Sequence, residues 1–301
     1  MSILSLRNVV KRYAKHTAVN GVSFEIPKGK IFGMLGPNGA GKTSLIRIIT
    51  TITAADEGEV FIDGEKLNRL HPQAIGYMPE ERGLYKKMKV GEHLLYLAQL
   101  KGMSTREAKQ KLNNWFEKFE ITGWWNKKIE ELSKGMQQKV QFIATVVHEP
   151  KLLILDEPFS GLDPINTNLI KDEIYQLNQR GTSVIFSTHR MEQVEEICEE
   201  IVLINKGEVV LQGEVANIKN DYKEDLFEVQ FDGNLPSDLQ NGSFEIVKDE
   251  RDRLIIKILE GHKPNELLKG LIEKDIEIHS YKEILPTLNE IFIKKVGESN
   301  E

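Results

Sequence analysis

Gly36-Pro37-Asn38-Gly39-Ala40-Gly41-Lys42-Thr43 fits the pattern G-x-x-x-x-G-K-[ST], a loop built to hold phosphates. An apolar run from Ile31 to Leu35 precedes it and reads as a strand. Ser44-Leu45-Ile46-Arg47-Ile48-Ile49 follows with helical apolar spacing. In a strand–loop–helix of this kind the glycines let backbone N–H groups turn inward around phosphate oxygens. The helix start adds a favourable dipole. Residues Gly36 to Ser44 are therefore a candidate triphosphate site, with Lys42 on the β- and γ-phosphates and the Thr43 hydroxyl on Mg²⁺.

Working outward, Leu152-Leu153-Ile154-Leu155, Ser183-Val184-Ile185-Phe186 and Ile201-Val202-Leu203-Ile204 are continuous apolar runs. A parallel sheet covered on both faces requires such strands. The stripe Ile165, Leu169, Ile170, Ile174 and Leu177 places a helix between two of them, which makes the fold α/β and doubly wound. Residues 1 to about 30 read as short strands, and Glu59 to Ile62 as another. Residues from about 88 to 150 read as an inserted helical subdomain. Trp115, Trp124 and Trp125 fall inside it and are expected to pack in its core. A hairpin is expected at Asn205 to Glu208 and a polar linker at Asn217 to Lys223. Beyond lies a small α+β pattern, with strands at Leu226 to Phe231, Ser243 to Val247, Arg253 to Ile258 and Ile276 to Tyr281. Its helices are expected near Asn265 to Glu273 and Ile284 to Val296. The division expected is 1–218 and 219–301.

Lys151 to Leu155 ends in Asp156-Glu157, so a buried strand delivers two carboxylates to the sheet edge where ligands bind in such folds. Asp156 suits Mg²⁺. Glu157 suits polarising a water, a role worth about 10²–10⁴-fold in rate. Ser133, 23 positions before Asp156, is a good N-cap for the helix through Val140, Phe142, Ile143 and Val147. With Gly135 it makes that helix start another anion-seeking surface.

The 301 residues carry a net charge of −6, which argues against a nucleic-acid partner. The single cysteine, Cys198, excludes an intrachain disulfide framework and fits a reducing compartment. No stretch approaches the roughly 20 apolar residues of a membrane span, and the start lacks the layout of a secretory signal. A soluble protein is expected, with any membrane-spanning part supplied by another subunit.

Together these pieces resemble the ATP-binding cassette (ABC) family over residues 1 to 218. Leu132-Ser133-Lys134-Gly135-Met136-Gln137 is similar to the signature L-S-G-G-Q, Phe159 to Pro164 to the D-loop, and Ser187-Thr188-His189 to the switch histidine. The resemblance implies two cassettes sandwiching two ATP molecules, with Ser133 and Gly135 touching the γ-phosphate of the other copy and His189 that of its own. It also implies that Tyr13 stacks on the adenine. Two departures stand out. Lys134 and Met136 replace a glycine and a glutamine of the signature, and Glu80 stands where the family carries a glutamine. A carboxylate there can bind Mg²⁺ but, ionised, cannot donate a hydrogen bond.

The segment Glu80 to Tyr85, the variant signature and the appended C-terminal region further resemble the sodium-extrusion, NatA-like branch. That implies an ATPase powering export of Na⁺ or a drug-like cargo through a separate permease at the inner face of the cell membrane. Leu84, Tyr85 and Met88 are candidate permease contacts. The competing reading is a soluble, non-transport cassette protein acting on ribosomes or DNA. A second cassette or a long coiled coil would favour it, and the sequence carries neither.

Overall fold

The computed structural model describes residues 1–81, 83–232, 242–250 and 252–298. Arg82 of the Glu80 to Tyr85 segment lies outside them. The chain divides into a unit of Met1–Glu214 and a unit of Val215–Glu301.

The first unit opens with β1 (Ser2–Tyr13), β2 (His16–Pro27), β3 (Ile31–Leu35), α1 (Lys42–Ile49), β4 (Glu57–Ile62), β5 (Glu65–Lys66) and β6 (Ile75–Met78). Next come the helices α2 (Val90–Leu100), α3 (Thr105–Lys118) and α4 (Lys134–Val146). It closes with β7 (Leu152–Asp156), α5 (Pro164–Gln179), β8 (Ser183–Thr188), α6 (Met191–Ile197), β9 (Glu200–Asn205) and β10 (Glu208–Glu214). One sheet has the order β10-β9-β3-β8-β7-β6, and β3, β6, β7, β8 and β9 run parallel within it. Every residue of β3, β7 and β8 is buried, as their unbroken apolar runs demand. Four of the parallel strands therefore end along one edge, at Gly36, Pro79, Glu157 and His189.

The other sheet of this unit is antiparallel, in the order β2-β1-β4-β5. Its first two strands are not the short pieces expected but run 12 residues each. The polar breaks that suggested short strands are absorbed as irregularities. Register shifts between Leu6 and Val9, Asn8 has φ 49° and Gly21 has φ 67°.

In the helical region Ser104 caps α3, its hydroxyl accepting from the Glu107 N–H at 3.2 Å. Trp115 sits edge-on to Phe119 and Phe142, with centroids 5.4 and 6.1 Å away, and Trp125 lies 5.3 Å from Phe116. A Cβ on Gly91 would fall 2.3 Å from the Trp125 ring, so α2 meets that indole only through a glycine. Trp115 and Trp125 thus pack within the subdomain.

The second unit begins with α7 (Val215–Asp221), where a linker was expected. Val215 and Ile218, three residues apart, are both buried, and that single apolar pair suffices for two turns. It continues with β11 (Leu226–Asp232), β12 (Phe244–Glu250), β13 (Arg253–Ile258), α8 (Pro264–Glu273), β14 (Glu277–Ile284) and α9 (Leu288–Glu298). The sheet order is β12-β13-β11-β14, all antiparallel. The last helix starts four residues later than expected. Pro286 disfavours a helical residue before it, and Thr287 with Glu290 forms a reciprocal cap, at 2.7 Å from the Thr287 N–H and 3.2 Å back to its hydroxyl. Among the described residues no helix is long and apolar enough to cross a membrane.

Candidate functional site

The phosphate loop leaves β3 in a conformation only glycine allows at its two ends. Gly36 has φ 149° and a Cβ there would stand 2.1 Å from the Ile204 carbonyl oxygen. Gly41 has φ 109° and its Cβ would stand 2.3 Å from that of Ala18. Gly41 also caps α1 without a side-chain hydrogen bond, which leaves the helix's first N–H groups to the loop's hollow. Beside them opens a cleft of about 190 Å³ lined by His16, Ala18, residues Asn38 to Ser44, Glu80, Asp156 and Glu157. Gly36 and Pro37 stand behind it, their carbonyls accepting from the Lys42 ammonium at 2.6 and 3.1 Å. Lys42 is only 8% exposed. Burial lowers its pKa, while the carboxylates of Asp156, Glu157 and Glu80 pull the other way.

Asp156, the last residue of β7, is 5% exposed and accepts from the Ser187 hydroxyl at 2.8 Å. Burial raises its pKa, the Ser187 bond opposes this, and the neighbouring Glu157 charge adds to it. Glu157 is fastened to the end of β8. One carboxylate oxygen accepts from the Thr188 hydroxyl at 3.0 Å. The other accepts from the His189 N–H at 2.8 Å and from its ring Nδ1 at 2.6 Å. The backbone of Glu157 is left-handed, with φ 51°, which is uncommon for a residue bearing a side chain. Three carboxylates thus act on one buried ammonium, and Asp156, Glu80 and the Thr43 hydroxyl offer the hard oxygen donors that suit Mg²⁺. Among the described residues no group of three or more His, Cys, Asp or Glu is arranged to hold a metal unaided, so such an ion would need phosphate oxygens as well.

Tyr13 is 40% exposed and does not line the cleft. It reaches the cleft through His16, whose ring lies 6.3 Å away and within 18° of parallel. Ser133 caps α4, its hydroxyl accepting from the Met136 N–H at 3.3 Å, and is exposed. A Cβ on Gly135 would meet only Leu162 and Asn166, at 3.9 and 4.0 Å. Neither residue lines the cleft. One copy of the chain therefore brings together Gly36 to Ser44, Glu80, Asp156, Glu157 and His189, and leaves the exposed Ser133 and the half-buried Gly135 outside the cleft. His16, Ser187 and Thr188 join the site beyond the residues that the sequence motifs single out. Polar side chains closing the buried strand β8 were the available signal for the last two. His16 carried none.

The pattern described as ABC transporter matches residues 19–160, and the pattern described as ATP-binding protein DrrA1-3-like, C-terminal domain, matches residues 213–296. The uncharacterized ABC transporter ATP-binding protein YhaQ of Bacillus subtilis strain 168 is 43% identical over 98% of this chain and 99% of its own length. The ABC transporter ATP-binding protein NatA of the same organism is 34% identical over 69% of this chain and 87% of that protein. Among solved structures, the dimeric post-hydrolysis state of the ATP-binding cassette MJ0796 bound to ADP and Pi superposes with a TM-score of 0.65 at 26% identity, over 70% of this chain and 98% of that one. Likeness of this extent, running through both units, decides the assignment: the chain belongs to the ATP-binding proteins of ABC transporters, a family of ATP-hydrolysing cassettes.

Proposed function

We propose that two copies of this chain clamp two ATP molecules between them, and that closure and hydrolysis drive a separate membrane permease. The observation that carries this reading is the split of the site. The phosphate loop and the acidic strand ends share one cleft, whereas Ser133 and Gly135 at the capped start of α4 lie outside its lining. A second copy supplies the missing face, with Ser133 and Gly135 on the γ-phosphate.

In the cleft the loop N–H groups and Lys42 hold the phosphates, and Tyr13 takes the adenine. Thr43, Asp156 and Glu80 would hold Mg²⁺, which when bound neutralises charge on the phosphate oxygens. The buried Asp156, ionised at the cost of desolvation, is suited to such a cation. Glu157 accepts a hydrogen bond from the attacking water and draws its proton. His189 and Thr188 keep the carboxylate aimed, and the His189 ring, 45% exposed on its side chain, would contact the γ-phosphate. Such phosphoryl transfer depends on positioning and charge stabilisation.

The permease, at the inner face of the cell membrane, is expected to rest on the region around Leu84, Tyr85 and Met88. Export of Na⁺ or a drug-like cargo is what the resemblance to the NatA-like branch implies, and the 37% identity to the linearmycin resistance ATP-binding protein LnrL of Bacillus subtilis strain 168 is in line with a drug-like cargo. The role of the second unit is to steady or regulate the dimer. The reading is tested by steady-state hydrolysis in Glu157→Gln. Turnover falls about 10²-fold or more while ATP still binds; full turnover would remove Glu157 from its role.

A further inference from the structure

Two buried polar side chains take no part in that machinery, and they share one face of α4. Gln138 and Gln141 are each 4% exposed and stand three residues apart, hence side by side on the helix. Gln138 Nε2 donates to the Pro158 carbonyl at 2.9 Å, and Gln141 Nε2 donates to the Pro79 carbonyl at 2.8 Å. Each acceptor adjoins a carboxylate of the cleft: Pro158 follows Glu157, and Pro79 precedes Glu80. A proline carbonyl only accepts, so the amide nitrogens, and not the oxygens, must face these two loops.

The Gln141 bond comes with a penalty. Its Oε1 is buried without a partner, a cost that an apolar side chain of similar size would avoid. The loop Gln138 holds is strained. Glu157 sits at φ 51°, its N–H donating to the Ser187 carbonyl at 2.9 Å and its carbonyl accepting from Ser160 at 3.1 Å. A residue in so sparsely populated a conformation keeps it only where its surroundings over-determine it. Gln138 supplies the next anchor along the chain.

We propose that Gln138 and Gln141 are positioning residues that strap the loops bearing Glu157 and Glu80 to α4. The two carboxylates then hold their places only while α4 is docked against both loops. This rests on the reading of the cleft as an ATPase site. It also puts both catalytic loops under one 13-residue helix, the same helix whose start is offered to the second copy's nucleotide.

The test compares Gln138→Leu, Gln141→Leu and Gln138→Met in the full chain, by steady-state ATP hydrolysis, ATP titration and thermal unfolding. Methionine keeps the reach of glutamine without a donor and guards against a packing defect introduced by leucine. Both Gln138 variants are expected to lose roughly 10- to 100-fold in kcat, since small misplacements of a reacting group cost that much. Gln141→Leu is expected to lose roughly 10-fold. ATP affinity and KM stay within about twofold, and the unfolding midpoint of Gln141→Leu stays close to that of the parent, since the orphaned Oε1 goes while the Pro79 carbonyl loses its donor. Wild-type kcat in these variants overturns the proposal. So does a loss of kcat that merely follows a loss of ATP affinity and of unfolding midpoint. Glu157→Gln separates the two layers. If hydrolysis depends on Glu157 while the glutamine variants turn over normally, only the straps are wrong; if the parent chain hydrolyses no ATP, the ATPase reading fails and the straps with it.

Discussion

The parallel sheet of the first unit and the antiparallel sheet of the second solve the burial of apolar residues in opposite ways. In β3, β7 and β8 every side chain is buried, so no position along these strands can present a polar group to solvent. Their chemistry is pushed to the ends, where the chain leaves the sheet, and the cleft gathers there. In β11 and β13 buried residues alternate with half-buried or exposed ones. Phe227, Val229, Phe231, Leu254, Ile256 and Ile258 form a core, while Arg253 and Glu228 pair on the other face. A sheet whose second face is only partly buried can place charge along its length and need gather none of it. Reactive groups concentrate where burial leaves a strand no other outlet.

The largest test of this contrast is Lys42→Ala. Removing the buried ammonium that faces Asp156, Glu157 and Glu80 is expected to lower turnover by roughly 10²-fold or more and to weaken ATP binding with it. Unchanged ATP affinity would break the assignment of the first unit's edge. The counterpart is Ile256→Ala, at a fully buried position of the second sheet. It is expected to cost about 2–5 kcal/mol of that unit's stability, read by denaturant unfolding, while ATP affinity stays within about twofold. A tenfold loss of ATP affinity would show that the second sheet is not the bystander its composition suggests.

A further contrast concerns pH, where the two units have opposite signs and the exposed pair of the second gives the smallest effect. In the first, burial pushes the pKa of both His93 and His148 down to about 4. The unfolded chain, with histidine near 6.5, then takes up more protons than the folded one. Their contribution is complete above about pH 6.5 and is lost as pH falls toward 4. In the second, the His279–Asp232 hydrogen bond and ion pair raise the His279 pKa. Its contribution is present below about pH 6.5 and lost as pH rises through the raised value, and because the pair is exposed the effect is small. Unfolding of His93→Leu and His279→Gln across pH 4–8 checks both: the first variant should lose part of the parent's acid sensitivity, the second should not.

Much of the first unit was legible because its chemistry lies in short contiguous stretches. Gly36 to Thr43, Asp156-Glu157 and Ser133 each announce a local geometry: a turn only glycine makes, a strand end, a helix cap. What escaped depends on partners far along the chain. Gln138 and Gln141 read as polar positions on a half-exposed helix until the loops at Pro158 and Pro79 close over them, 20 and 62 residues away. His16 acquires its place from a hairpin, and the left-handed turn at Glu157 from its anchors on β8. The missed helix at Val215–Asp221 and the two long strands at the start share another cause. Polar residues there sit on the outer face or in bulges of regular elements, and in the sequence alone they look like breaks.

Pairing through nucleotide is the claim on which the rest stands, and it can be weighed directly. Light scattering on size-exclusion chromatography of Glu157→Gln, with Mg²⁺ and ATP in excess and again without nucleotide, reads the mass of the assembly. With ATP the species is expected at twice the mass of the 34.4 kDa chain, returning to one copy when ATP is withdrawn. A species that binds ATP yet stays at the mass of one chain would contradict it.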